Sequence, residues 1–152
     1  MTPRRALVGV SAAQLGAGLA GLVVALRRRR HYDVWTPARL DVPLWHGSPE
    51  TVARDCVLMG TAYSAPLPML VAQLGSTVRL ATRGDRRAVR DLTVLGALMT
   101  GGYLVERWDR THLRHWDPVE TPIVVTGLGL AVAMAVLGAL GLRGRPPGMR
   151  PS

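Results

Sequence analysis

The chain of 152 residues contains no lysine, no asparagine and no phenylalanine, and isoleucine occurs once, as Ile123. These residues have codons rich in A and T, whereas the abundant Ala, Gly, Arg and Pro have codons rich in G and C. We therefore predict that the protein comes from a high-GC bacterium. Codon usage also explains why all 19 basic residues are arginine, so the choice of arginine over lysine is not evidence of function.

Cysteine is almost absent as well, because Cys56 is the single one in the chain. One cysteine excludes a disulfide scaffold and a redox relay of the paired-cysteine type. The apolar content of 48% excludes a disordered basic tail, which would be poor in apolar residues. A net charge of +9 then leaves two broad classes, a nucleic-acid-binding domain and a membrane protein.

Four long stretches of the chain carry no charged residue: residues 6–26, 56–78, 92–105 and 122–142. As helices, the first and the fourth would each be about 31 Å long, enough to cross the hydrocarbon core of a membrane. All the arginines lie outside these stretches, so we interpret the charge as flanking membrane spans and contacting anionic phospholipid headgroups. We predict no nucleic-acid partner, because no soluble segment exceeds about 30 residues.

The pattern predicts an all-α fold, an integral membrane bundle of four transmembrane helices within a single domain at residues 1–145. Residues 146–152 read as a disordered tail. In the alternative, the second stretch is re-entrant and turns back at Pro66 and Pro68, which leaves three spans. Asp85 is a candidate N-cap of the third helix, and Thr121-Pro122 a candidate start of the fourth. Four arginines follow the first stretch, which favours a retained helix over a cleaved signal peptide.

The arginine distribution bears on orientation. With four spans, ten arginines lie on the side of both termini and nine on the other side, whereas three spans would give 14 against five. The tryptophans and histidines all lie in the first and last loops, so one face is rich in both and the other is plainly basic. We place the basic face, with both termini, on the cytoplasmic side of the bacterial cell membrane.

Small residues recur every four positions in the first and fourth stretches, which is typical of closely packed membrane helices. The predicted packing positions are Gly9, Ala13, Ala17, Gly21, Gly127, Ala131, Ala135 and Ala139. Residues 16–21 also match the G-x-G-x-x-G dinucleotide pattern. Because no strand precedes them and they lie inside an uncharged helix, we predict no cofactor.

The remaining polar residues supply the candidate sites. Neutral residues near the proline break and in the third stretch could line a small-ligand pocket: Tyr63, Ser64, Gln73 and Tyr103. A second set lies at the level of the lipid headgroups and supplies the candidate catalytic residues: Glu106, His112, His115, Asp117 and Glu120. We predict no metal site, because residues spaced by three drift about 60° per step around a helix.

The leading functional interpretation is a small multi-pass membrane protein without an assembled catalytic site. It would act by helix packing, as a homo-oligomer or as an accessory subunit of a larger membrane complex. One alternative is a small dimeric transporter or channel, for which the nearly even arginine split is typical and in which Glu106 would carry protons. Another is a membrane enzyme acting on a lipid or polyprenyl substrate. Whether the protein is an enzyme stays open at this point.

Overall fold

The computed structural model describes residues 2–33, 48–106 and 116–143. Within these ranges the protein is all-α, as predicted, with five helices and no strand. They are α1 (Pro3–Arg28), α2 (Val52–Leu58), α3 (Leu67–Arg83), α4 (Arg86–Val105) and α5 (Glu120–Arg143). The predicted tail at residues 146–152 lies outside the described residues.

Two helix starts follow local capping chemistry. Thr2 caps α1, where its side chain accepts a hydrogen bond from the amide of Arg5 and Pro3 occupies the first turn. The predicted cap at Asp85 is confirmed, because its carboxylate accepts the Arg87 amide at 2.8 Å. Just before it, Gly84 has a φ of 65° and ends α3, so α3 and α4 are joined by a very short turn.

The second apolar stretch is not one helix. It contributes the end of α2 and most of α3, and the chain between them is irregular. Residues 60–64 of this segment are all buried. A pair of backbone hydrogen bonds closes a tight turn, from Thr61 N to Ser64 O at 3.0 Å and from Ser64 N to Thr61 O at 3.4 Å. Pro66 then stands immediately before α3 because proline is tolerated at a helix start.

The four long helices form a ring in which each packs against two neighbours, in the order α1, α3, α4, α5. At one end of the ring, the Arg4 guanidinium donates to the carbonyl of Leu80 at 2.8 Å, and Arg86 donates to the carbonyl of Leu142 at 3.1 Å. The start of α1, the end of α3, the start of α4 and the end of α5 therefore share this end, which we call the basic end. We call the opposite end, where Arg28 and Glu120 lie, the carboxylate end.

Tight contacts between α4 and α5 depend on glycine. A Cβ on Gly96 would lie only 2.7 Å from the amide nitrogen of Ala135 and 2.9 Å from the carbonyl oxygen of Ala131. A Cβ on Gly138 would collide with Thr93, and one on Gly127 would collide with the hydroxyl of Tyr103. These glycines let the two helix backbones approach closely.

The surface of the bundle is more apolar than that of a typical water-soluble protein. Apolar side chains cover much of the outside, including Leu19, Val23, Val71, Leu74, Val78, Leu98, Leu104, Val125, Val132, Val136 and Leu140. The interior holds an apolar core together with buried polar residues, among them Ser11, Gln14, Gln73, Ser76, Thr77, Glu106 and Glu120. Two helices, α1 and α5, are long and apolar enough to cross a membrane. Only 28% of each apolar window is buried, whereas the core helix of a soluble protein would be mostly buried.

Candidate functional site

A fully buried carboxylate lies at the carboxylate end of the bundle. Glu120 is 0% exposed, and its Oε1 accepts hydrogen bonds from Arg28 Nη1 at 2.9 Å and Arg30 Nε at 3.0 Å. Its Oε2 accepts a hydrogen bond from the hydroxyl of Tyr63 at 2.6 Å. Because an isolated buried carboxylate would be very costly, these charged and phenolic donors are what allow Glu120 to be ionised inside the protein.

The end of α1 positions both arginines. Arg29 adopts the left-handed conformation with a φ of 53°, and its amide donates to the carbonyl of Leu26. The Arg30 amide reaches back to the carbonyl of Ala25 at 2.8 Å. This is the hydrogen-bond pattern of a Schellman motif, in which glycine usually takes the left-handed position. The reversal places the side chains of Arg28 and Arg30 on the same carboxylate.

Asp117 organises the start of α5. Its Oδ1 accepts the amides of Val119 at 2.8 Å and Glu120 at 2.7 Å, and its own amide donates to Thr121 Oγ1 at 2.8 Å. The prediction that Thr121 caps this helix is therefore wrong, because Asp117 takes that role. The amides of Glu120 and Val119 lower the pKa of Asp117, and the Arg28 guanidinium at 3.4 Å lowers it further.

A second polar cluster holds α1 against α3 in the middle of the bundle. Gln73 Nε2 donates to the carbonyl of Ser11 at 3.0 Å and lies 3.2 Å from its hydroxyl. The Ser11 hydroxyl is 2.7 Å from that of Thr77, which in turn donates to the carbonyl of Gln73 at 2.7 Å. Such hydrogen bonds between apolar helices favour one rotational setting of the helix pair.

A cavity of about 160 Å³ lies beside the carboxylate end, between α1, α4 and the turn before α3. Its walls are largely apolar and include three methionines, Met59, Met69 and Met99. Two polar atoms of its lining residues, Gln14 Oε1 and Thr61 Oγ1, are buried and have no hydrogen-bond partner among the described residues. Unpaired buried polar atoms are uncommon in folded proteins, and they mark this cavity as a candidate binding site.

The four predicted ligand-pocket residues divide into two groups. Ser64 and Tyr103 line the cavity. Tyr63 instead bonds Glu120, and Gln73 belongs to the cluster between α1 and α3. The tight turn at residues 61–64 separates Tyr63 from Ser64, because it directs these neighbouring side chains to different sides.

The candidate catalytic residues are also separated. Glu106 is 7% exposed, lines the cavity and accepts the amide of Asp33 at 2.8 Å. Asp117 and Glu120 share the arginine cluster at the carboxylate end. His112 and His115 lie outside the described residues. Within the described ranges, no group of three His, Cys, Asp or Glu side chains is placed to hold a metal ion.

Sequence reasoning did not identify the arginines that bind Glu120 or the polar residues that line the cavity. It treated Arg28 and Arg30 as lipid-headgroup anchors and did not place Gln14 or Thr61 in a pocket. One signal was present, however, because Glu120 directly precedes an uncharged stretch of 22 residues, 121–142. A buried acid at that position needs a cation from a neighbouring span end, and the arginine run 27–30 provides it.

The predicted packing residues lie in different environments on the two helices. On α5, Gly127 and Ala131 are buried, and Ala135 and Ala139 are partly buried, on the side that faces α4. On α1, Gly21 is buried, and a Cβ there would collide with the carbonyl oxygen of Tyr63. The other predicted positions of α1 turn outward, with Gly9 and Ala13 exposed and Ala17 partly exposed.

No protein-family model matches the chain, and neither a curated protein nor a solved structure shows significant similarity to it.

Proposed function

We propose that this protein is a multi-pass integral membrane protein with four spans that acts without catalysis, through helix packing with a second copy or a larger membrane complex. The observation that carries the proposal is the apolar exterior of the bundle. Valine and leucine side chains of α1, α3, α4 and α5 point outward, while glutamine, serine, threonine and glutamate lie buried beside the apolar core. Such an arrangement is stable in lipid, where the exterior needs no polar groups and the interior can satisfy them.

The geometry of α3 and α4 supports counting them as spans. They are about 26 Å and 30 Å long at 1.5 Å per residue, of which the uncharged parts, residues 67–78 and 92–105, are about 18 Å and 21 Å. As spans, they would place their charged ends in the headgroup layer. The irregular segment before α3 is buried in protein at residues 60–64. Burial in protein is the condition under which non-helical backbone is tolerated at membrane depth. With four spans, both termini share the basic end, and we place that end in the cytoplasm of a bacterial cell.

The outward face of α1 supports helix packing as the mode of action. Every exposed residue between positions 6 and 18 of this helix is glycine or alanine: Gly9, Ala12, Ala13 and Gly16. The outward faces of the other spans carry larger side chains, such as Val71 on α3 and Val132 on α5. A smooth surface of this kind lets another membrane helix approach closely and gain van der Waals contact.

A matched pair of variants tests the proposal. Apart from the helix backbone itself, no atom of the described residues would lie within 4 Å of a Cβ on Gly16 or on Gly129, so both positions tolerate a side chain in the isolated bundle. We expect Gly16→Ile to dissociate the complex recovered from native membranes in mild detergent and Gly129→Ile on α5 to leave it intact. Recovery in the carbonate-soluble fraction would contradict membrane integration. A monomer with no partner in the wild type would contradict the packing role.

A small dimeric transporter is the second candidate, and one observation favours it. Glu106 is buried in the wall of a cavity that also reaches the exposed side chain of Leu98. Proton flux into proteoliposomes separates the two candidates. A flux that Glu106→Gln abolishes would favour transport, whereas the absence of flux in the wild type would favour packing. The enzymatic alternative depends on His112 and His115, which lie outside the described residues.

A further inference from the structure

The cavity beside α4 has the properties of a binding site for one kind of small molecule. Its volume of about 160 Å³ is close to that of an engineered protein cavity, about 150 Å³, that binds benzene. The lining is mostly apolar, so a single ring would fill it better than a cluster of water molecules would. Size and wall chemistry together indicate a ligand built around one small apolar ring.

The methionines favour an aromatic ring over a saturated one. Met59, Met69 and Met99 contribute to the lining from the turn, from α3 and from α4. Thioether sulfur makes favourable contacts with the edges of aromatic rings, and the flexible methionine side chain adapts to the shape of its guest. Met99 is also held in place, because its sulfur accepts a hydrogen bond from Gln14 Nε2 at 3.9 Å.

The unpaired polar atoms specify what the ring must carry. Gln14 Nε2 contacts Met99, and Gln14 Oε1, which can only accept a hydrogen bond, is buried and has no partner among the described residues. The hydroxyl of Thr61 can both donate and accept, and it has no partner among the described residues. A ligand hydroxyl matches both atoms, since it donates to an amide oxygen and accepts from an alcohol. The buried carboxyl group of Glu106 in the same lining disfavours an anionic ligand.

We propose that this cavity binds a hydroxylated aromatic ring, with the ring among the methionines and its hydroxyl paired with Gln14 and Thr61. The mouth of the cavity includes Leu98, which is 59% exposed, and Gly102 on the outward side of α4. If the proposed membrane placement holds, this mouth faces lipid. The ring then comes either from a small phenol dissolved in the membrane or from the head of a longer phenolic lipid.

Ring binding is measured by fluorine NMR on the purified full-length protein in detergent, with four fluorinated probes of nearly equal size. We expect 4-fluorophenol to bind saturably, with a dissociation constant at least tenfold lower than that of fluorobenzene. The probes 4-fluorobenzoate and 4-fluorobenzylamine test charge. Equal affinity for 4-fluorophenol and fluorobenzene, tighter binding of the amine or the acid, or no saturable binding would each overturn the proposal.

Two adjacent glycines on α4 provide a matched control for location. Apart from the backbone of α4, no atom of the described residues would lie within 4 Å of a Cβ added to Gly101 or Gly102, but only Gly102 is among the described residues that line the cavity. We expect Gly102→Leu to abolish saturable 4-fluorophenol binding and Gly101→Leu to preserve it. Both variants are measured in the same detergent, so the partition of 4-fluorophenol into the micelle contributes equally to the two measurements. Loss of binding in both variants, or in neither, would place the ring elsewhere and overturn the proposal.

The hydroxyl contact has its own test. We expect Gln14→Leu to bring the affinities for 4-fluorophenol and fluorobenzene within about twofold of each other while fluorobenzene still binds. A tenfold preference that persists in this variant would overturn the role of Gln14. Competition then identifies the source of the ring. Stronger displacement of 4-fluorophenol by a polyprenyl phenol than by 4-methylphenol indicates a lipid ligand. Equal displacement by the two competitors indicates a small phenol. Displacement by neither competitor would overturn the proposal.

The binding proposal is independent of the oligomeric role. Gly16→Ile should leave 4-fluorophenol binding unchanged, because Gly16 is not among the described residues that line the cavity. If the protein recovered from native membranes proves to be a monomer without a partner but still binds 4-fluorophenol, the proposed packing function is wrong and the proposed binding site is supported.

Discussion

The two ends of the bundle use arginine in opposite ways. At the basic end, Arg4 and Arg86 donate to main-chain carbonyls at the ends of α3 and α5, and Arg79 forms an exposed pair with Asp91 at 2.6 Å. At the carboxylate end, Arg28 and Arg30 converge on a carboxylate that is 0% exposed. The basic end therefore resembles a solvated helix end, whereas the carboxylate end carries a buried ionic contact whose loss should matter far more.

The largest expected effect comes from removing the cations of the carboxylate end. Replacing both Arg28 and Arg30 with glutamine leaves Glu120 buried without a compensating positive charge, which should strongly lower the free energy of unfolding. Glu120→Gln should cost less, because both arginines are partly exposed and can be hydrated once the acid is gone. Unfolding titrations in detergent compare the two proteins. A larger loss in Glu120→Gln would contradict this account.

Gly21→Ala should have the next largest effect. The added methyl group would collide with the carbonyl of Tyr63, and relieving that collision moves Tyr63 away from Glu120. Overpacking of this kind costs about 1–3 kcal/mol. Gly16→Ala on the same helix is the control, because no atom would lie near its Cβ. Equal unfolding free energies for the two variants would show that α1 does not contact the turn before α3.

Backbone conformation also distinguishes the two ends of the bundle. Gly84 at the basic end and Arg29 at the carboxylate end both have positive φ, but only glycine adopts it without steric cost. We expect Gly84→Ala to destabilise the protein by about 1 kcal/mol and Arg29→Gly to stabilise it by about 0.5–1 kcal/mol. The midpoint of denaturant unfolding measures both changes. Destabilisation by Arg29→Gly would mean that its side chain contributes more than its backbone strain costs.

A smaller, pH-dependent effect is expected at Asp117. Its pKa in the folded protein is lowered by the amides of Glu120 and Val119. A lowered pKa means that Asp117 stabilises the folded state fully above its unfolded pKa, and that this contribution is lost as pH falls through the folded value. Asp117→Asn retains an acceptor for the amides but does not titrate. Its melting temperature should therefore fall less on acidification than that of the wild type, and parallel curves would contradict the assignment.

The smallest expected effect lies at the basic end. Asp91→Asn removes the exposed pair with Arg79, whose two side chains are 44% and 43% exposed. The loss should be about 0–1 kcal/mol in low salt, and salt at about 1 M should largely remove it. A loss as large as that of the double arginine variant would abolish the distinction between the two ends.

Sequence reasoning recovered the features set by local chemistry. The all-α class and the Asp85 cap follow from hydropathy and from single residues, so both were predictable. The inward face of α1 could not be predicted, because this helix is apolar around most of its circumference. Its stripe of small residues was the one available guide. The structure turns Leu7, Gln14 and Gly18 inward and leaves most of the predicted stripe outside.

The polar interior could not be predicted for a related reason. The contacts of Glu120 join residues 57 to 92 positions apart in the chain, and no local pattern encodes such pairs. The cavity likewise depends on a turn at residues 61–64 whose direction is fixed by packing. Only the proline break that makes the turn possible is visible in the sequence.

The most direct test of the account is a topology map of the proposed four-span bundle. In a Cys56→Ala background, single cysteines at Thr2, Glu50 and Arg83 are labelled with a membrane-impermeant maleimide in oriented vesicles. The account predicts that Thr2 and Arg83, both at the basic end, react from the cytoplasmic side and that Glu50 reacts from the opposite side. Reaction of Thr2 and Arg83 from opposite sides, or of all three positions from the same side, would contradict it.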